Sequence, residues 1–168
     1  VIVAVEGPAA AKLTGIAPVQ SRSVSCVYFA SDAAPTDKKL IILDGTGQGP
    51  VLNIAVMSNI APTYAPVGQH LIAAALPGHI GEDVEQVARQ QLHTMFGPQV
   101  SSWRHLRTYR IEHGQPDQSP PFAPKKKQHL DNDVFVCGDH RDTASIQGAL
   151  FSGRRCADSV KEFLALRG

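Results

Sequence analysis

The run Val134-Phe135-Val136-Cys137, followed directly by Gly138-Asp139, constrains the fold of this chain more than any other feature. Four apolar residues bounded in this way suit a short buried parallel strand. Gly138 lets the backbone turn sharply at the strand's carboxyl end, which is where α/β sheets bind ligands. Asp142, Thr143 and Ser145 then offer N-cap oxygens, and Ile146, Ala149, Leu150, Gly153, Ala157 and Val160 recur at helical spacing. The pattern predicts a helix that starts near Ser145. Its first N–H groups lack partners within the helix and carry partial positive charge, so this terminus can hold a phosphate or an electron-rich carbonyl oxygen. Gly148, Ala149 and Gly153 keep the first turns slim, leaving room for a flat ligand or a neighbouring backbone. An ordinary capped strand-helix unit would read the same way.

Other chemistries find less support. His140-Arg141-Asp142 copies the kinase catalytic tripeptide, but Gln147 stands where that motif needs Asn, and neither a glycine-rich loop nor Asp-Phe-Gly is present. Ser, His and Asp cluster between residues 139 and 145 without the Gly-x-Ser-x-Gly elbow that would expose a nucleophile. The seven histidines form no His-x-x-x-His pair beside a carboxylate, and no metal site is expected. Cys26, Cys137 and Cys156 lack Cys-x-x-Cys spacing and read as free thiols of a reducing compartment. A net charge of +1 provides no field for nucleic acid, so Lys125-Lys126-Lys127 reads as a solvated loop. No run approaches membrane-spanning length.

With 168 residues, 43% of them hydrophobic, the chain can bury one sizeable core, or one domain with part of another attached. Ser23 to Ser31, Leu40 to Leu43, Val51 to Met57 and His70 to Leu76 are β-rich runs separated by turn residues, and they predict a mostly antiparallel sheet. Gly45-Thr46-Gly47-Gln48-Gly49-Pro50 reads as a hairpin turn. Glu82 to Phe96 predicts a helix that covers one sheet face through Val84, Val87, Ala88, Leu92, Met95 and Phe96, with Gly97 beyond its end. Val100 to Ile111 predicts a further strand, and Glu112 to Gln128 a Pro-rich connection back to the Val134 strand. At the amino end, Val1 falls inside an apparent strand, and Pro8 suits a first helical turn.

Gly138-Asp139, Gly148-Ala149 and Ser152-Gly153-Arg154-Arg155 resemble the carboxyl-terminal FAD-binding segment of the flavin-containing amine oxidoreductase superfamily, which includes monoamine and polyamine oxidases, protoporphyrinogen oxidase and phytoene desaturase. Val1 to Leu13 is similar to that family's strand and helix at the return from the substrate domain. Ser58 to Gly68, and Trp103 to Ile111 followed by Gln115-Pro116, resemble a plant and cyanobacterial branch. The resemblance covers nearly the whole chain.

The resemblance implies a mixed α+β and α/β architecture. A substrate-domain sheet over 14–118 is inserted between a returning strand and helix, 1–13, and a Rossmann-like strand and helix, 134–168, reached through a connection over 119–133. It implies FAD as cofactor. Asp139 would approach the ribityl-diphosphate region after Gly138, and the helix start, at Ser145, Ile146 and Gln147 with the small Ala149 beside them, would face the flavin's pyrimidine edge. Tyr28, Trp103 and Tyr109, with Phe29, become candidate lining of a mostly apolar substrate pocket, although core packing explains them as simply. Ser25 takes the position of the family's flavin-facing lysine, which favours hydride removal from an apolar substrate at least as much as amine oxidation.

The amino-terminal Gly-x-Gly-x-x-Gly of such enzymes is absent from this sequence, and Val1 falls within an apparent strand. The expectation is a carboxyl-terminal portion of a longer oxidoreductase, inactive and without tightly held FAD when alone. Its partners would be the nucleotide-binding half, FAD and a small apolar or amine substrate, in a soluble chloroplast or cytoplasmic setting. A noncatalytic binding or assembly module derived from the same family would have the same sequence.

Overall fold

The computed structural model describes residues 1–78 and 81–167, arranged as two compact units. One unit is continuous, Ser23–Glu112; the other joins Val1–Arg22 to His113–Gly168. Both junctions fall inside the sequence-based bounds of 14 and 118.

The continuous unit is built on a five-stranded sheet. Its strands are β2 (Ser21–Ser31), β3 (Ile41–Leu43), β4 (Asn53–Val56), β5 (His70–Pro77) and β6 (Arg104–Pro116), in the order β3-β4-β5-β2-β6. β3 with β4, β4 with β5 and β5 with β2 pair antiparallel. The β3–β4 connection is the hairpin expected from its glycines, closed by the Asp44 N–H donating to the Leu52 carbonyl at 3.0 Å. Side chains alternate across a strand, so Val27 and Phe29 face one way, where they pair with Ala74 and Ile72. There they form a core with Ile54, Val56 and Leu76. After the one-turn helix α2 (Met57–Ile60), helix α3 (Val84–Phe96) covers this face with Val84, Ala88 and Leu92, three residues of the expected stripe. Val24, Cys26 and Tyr28 of β2 face the other way with Ala55, Ala73 and Ala75, and all six are half-buried.

Two side chains fasten α3 to the connections around it. Gln91 donates to Asp44 Oδ2 and to the Val51 carbonyl and accepts from the Val51 N–H, which pins the hairpin loop to the helix. Arg89 pairs with Glu85, lies over the Phe29 ring at 4.9 Å, and donates to the Val100 and Trp103 carbonyls. The second attachment accounts for a departure from the sequence reading. Residues Pro98–Ser102 form a 3-10 turn rather than the start of a strand, because Gly97 turns the chain at φ 77° and Pro98 favours a helical first position. Strand β6 therefore begins at Arg104, and it runs on to Pro116, into the stretch expected to be connection.

In the discontinuous unit, β1 (Ile2–Val3) and β7 (Phe135–Val136) pair in parallel, and β1 leads into α1 (Gly7–Thr14), with Pro at its first turn as expected. β7 leads through a 3-10 turn, Asp139–Arg141, to α4 (Ile146–Ala165). Phe135, Cys137 and Cys156 form the core here, with Val160 and Phe163 packed against them and His129 stacked on Phe135 at 4.3 Å. The residues that recur at helical spacing are not the buried face of α4: Gly148, Ser152 and Cys156 are buried, whereas Ile146, Leu150 and Ala157 are exposed. Small residues at 148 and 152 let the helix come too close to the preceding loop for large apolar side chains to fit between. No helix among the described residues is long and apolar enough to cross a membrane.

Leu92→Ala should destabilise the folded protein by about 2–5 kcal/mol through the cavity it leaves. Leu43→Ala, at 66% exposure, should change stability by less than about 0.5 kcal/mol. Urea denaturation of the two variants checks the contrast.

Candidate functional site

The strand-corner-helix expected around Gly138 is held by a network of hydrogen bonds and one ion pair. Gly138 sits at φ 149°, a conformation that L side chains rarely adopt, and its N–H donates to the Ser152 hydroxyl at 3.1 Å. The N–H of Arg141 returns to the Gly138 carbonyl at 3.1 Å and that of Asp142 to the Asp139 carbonyl at 3.0 Å, which closes the 3-10 turn. Asp142 then accepts from the Thr143 N–H and pairs with the Arg155 guanidinium. The Thr143 N–H first, then Arg155, hold its carboxyl below the usual carboxylate range against the effect of burial. Arg155 also donates to the Arg141 carbonyl, and Arg141 itself donates to the Lys127 carbonyl, so loop and helix are tied at several points. The His140-Arg141-Asp142 tripeptide is buried throughout, in keeping with a structural role rather than an exposed catalytic one.

Ser145 is the N-cap of α4, and its hydroxyl accepts from the Gly148 N–H at 2.9 Å. A Cβ on Gly148 would run into the Thr143 carbonyl, so the loop can lie against the first turn only because this residue is glycine. Ser145 donates its own N–H to Thr143, and Ala149 donates to the Ser145 carbonyl. The Ile146 and Gln147 N–H groups meet no acceptor among the described residues, and both residues are exposed, as is Ala149. The helix start thus offers two free donors at its positive end.

Asp139 leaves its carboxylate partly open, at 32% side-chain exposure, on a small recess of about 30 Å³ whose lining includes Glu6, Gly7, Ser21, His113 and Gln115. The structure therefore brings Gly138, Asp139, Ser145, Ile146, Gln147 and Ala149 together in one unit. His140, which sequence reasoning passed over as part of a misleading tripeptide, is 2% exposed and lies against the corner. The thiols of Cys137 and Cys156 lie close together below it, and Cys156 is pushed up to about 11 by burial and by Cys137.

The aromatic residues separate. Trp103 packs in the helix-covered core at 5.9 Å from both Phe29 and Phe96. Tyr28 and Tyr109 meet edge to face at 5.9 Å on the open side of the sheet, and Arg107 lies over the Tyr109 ring at 5.1 Å. Cys26 shares that side, and its hydrogen bond is the largest cause holding the Tyr28 phenol above its usual range. Ser25 is fully buried on the opposite, helix-covered side, with its hydroxyl unpartnered. The open-side neighbours in β2 are Val24 and Cys26, so neither register places a cation at that point of the strand.

Burial, and then the Arg141 charge, hold the His140 imidazole below its ordinary 6.5; Lys126 adds to them, and Asp139 opposes them. The unfolded chain therefore binds more protons than the folded one just below that value, so this contribution to stability is intact above about pH 6.5 and is lost as pH falls further. The melting temperature should drop between about pH 7 and pH 5, with a shallower slope in His140→Asn; an unchanged slope would assign the titration to another group. Separately, Ser145→Ala should destabilise the protein by about 1 kcal/mol through loss of the cap, measurable by thermal denaturation.

The model of the flavin containing amine oxidoreductase family matches residues 1–161. Among solved structures, an oxidoreductase from Methanosarcina mazei is similar with a TM-score of 0.60 and 15% identity, over 90% of this chain and 37% of that one. A protein from Pyrococcus furiosus is similar with a TM-score of 0.60 and 15% identity, over 89% and 34% of the two chains. Reduced UDP-galactopyranose mutase gives 0.63 and 14%, over 83% and 35%. At these identities the likeness is one of fold, and this chain spans about a third of each neighbour's length. No curated protein matches it. The family match takes in the returning strand and helix, the inserted sheet and most of the strand-corner-helix, and on that breadth the chain belongs to the flavin-containing amine oxidoreductases.

Proposed function

We propose that this chain supplies the flavin-contacting corner and the substrate-facing sheet of an FAD-dependent oxidoreductase. The observation that carries the reading is the pair of free N–H groups at Ile146 and Gln147, in the same unit as a partly open carboxylate at Asp139. These residues fit the cofactor's chemistry: helix-start donors suit the electron-rich carbonyls of the flavin's pyrimidine edge, and a carboxylate suits hydroxyl donors of the ribityl chain. Gly148 and Ala149 leave the approach free of bulky side chains. When bound, FAD supplies the redox chemistry, and the protein supplies binding, orientation and exclusion of water.

The adenosine side of the cofactor calls for a Gly-x-Gly-x-x-Gly element that this sequence lacks, so the proposed enzyme draws on further polypeptide for it, and these 168 residues alone hold FAD weakly. The substrate surface we propose is the open side of the sheet, around Tyr28 and Tyr109. With no lysine at Val24, Ser25 or Cys26, hydride removal from an apolar substrate is favoured over amine oxidation. The plant and cyanobacterial resemblance supports a plastid location.

The full-length protein should be yellow as purified, with a flavin absorbance spectrum bleached by dithionite, and Asp139→Ala should lose most of its flavin. A colourless full-length protein would instead support a noncatalytic module built on the same scaffold.

A further inference from the structure

His140 is a polar side chain buried without a polar partner. Its side chain is fully enclosed, and neither ring nitrogen has a hydrogen-bond partner. Buried polar groups in folded proteins are nearly always paired, so such a ring points to a partner it has yet to engage. The surrounding backbone is shaped to admit the ring. A Cβ on Gly138 would lie 2.7 Å from the His140 Nδ1 and Cε1 atoms, and one on Gly7 would meet Val19 at 2.4 Å and the His140 Cβ at 3.2 Å. Two residues without side chains therefore flank it, one at the cofactor corner and one at the start of α1. The charged groups around the ring are Asp139, Arg141 and Lys126, and of these only Asp139 can accept a hydrogen bond. Its Oδ1 lies 4.0 Å from Nδ1, too far for a bond, on a carboxylate with no other hydrogen-bond partner among the described residues.

We propose that His140 is a positioning residue of the cofactor corner, whose imidazole N–H fixes the orientation of the Asp139 carboxylate when the cofactor engages it. The inference rests on the flavin reading above. The ring is fully enclosed with the Gly138 backbone against its Nδ1 edge, which confines Nδ1, and the partly exposed carboxylate is the mobile member of the pair. One carboxylate oxygen held by His140 leaves the other directed at the cofactor. A first contact whose orientation is set by a confined neighbour binds more tightly than one free to rotate.

The test uses the full-length flavoprotein, stripped of flavin and titrated with FAD, in five forms: parent, His140→Phe, His140→Asn, Asp139→Ala and the His140→Phe/Asp139→Ala double variant. His140→Phe keeps a planar ring but removes the donor, and should weaken FAD binding about tenfold or more. Asparagine offers an amide N–H close to the imidazole Nδ1 and should stay within about threefold of the parent. Since His140 acts through Asp139, His140→Phe should add less than about a twofold loss in the Asp139→Ala background. A side chain that merely fills space would give multiplicative losses in the double variant and equal losses for Phe and Asn, and either result overturns the proposal. Wild-type affinity in His140→Phe, with flavin lost in Asp139→Ala, overturns it while leaving the flavin reading intact. Unchanged affinity in Asp139→Ala removes the flavin reading and the proposal together. Comparing His140→Phe directly with His140→Asn, with each melting temperature recorded, separates a folding defect from a positioning defect.

Discussion

Helix α4 comes close enough to the end of β7 for the Ser152 hydroxyl to take the Gly138 N–H, and the geometry of the strand-corner-helix depends on that approach. It requires small residues along one line of the helix: Gly148 under the Thr143 carbonyl, Ser152 under the corner and Cys156 against Phe135. With the helix so near, the intervening loop must turn tightly, which brings Asp142 to Arg155 and leaves Ser145 at the cap. A larger residue at 148 would push the loop away and loosen the corner as a whole.

The strand, the corner, the N-cap and the start of the following helix were legible in the sequence because each has a local cause: an apolar run, a glycine that must turn, and a serine placed before a helical repeat. The face that α4 buries was not. Ile146, Leu150 and Ala157 have the apolar periodicity of a core stripe, yet the helix presents its small residues inward, since backbone proximity outweighs side-chain hydrophobicity at this junction. Val100 was misread for a related reason. An apolar residue before a β-rich run looks like part of that run, whereas its carbonyl is held in a turn by Arg89 from eleven residues away.

The candidate site was legible in part. Gly138, Asp139 and the residues from Ser145 to Ala149 lie together, but the resemblance directed attention to them as much as the physics did. His140 carried no usable signal, because a buried unpaired histidine is defined by neighbours that only the fold assembles. The lysines at 125–127 illustrate the same limit: their charges are exposed, but the Lys127 carbonyl and the Lys126 N–H brace Arg141. Alternation within β2 separates Ser25 from Cys26 onto opposite sides of the sheet, and likewise Phe29 from Tyr28, so a shift of one position in any alignment of this strand exchanges core for surface.

The cap at Ser145 also bears on which ligands the helix start can distinguish. Of the first three helical N–H groups, the third, on Gly148, is occupied by the serine hydroxyl, and two remain. A tetrahedral oxyanion placed on the axis would ordinarily draw on all of them at once. A flat heteroaromatic edge with two acceptors needs only the pair left open. Filling one donor internally therefore leaves this terminus two donors for an outside acceptor, a number suited to a planar edge more than to a tetrahedral oxyanion.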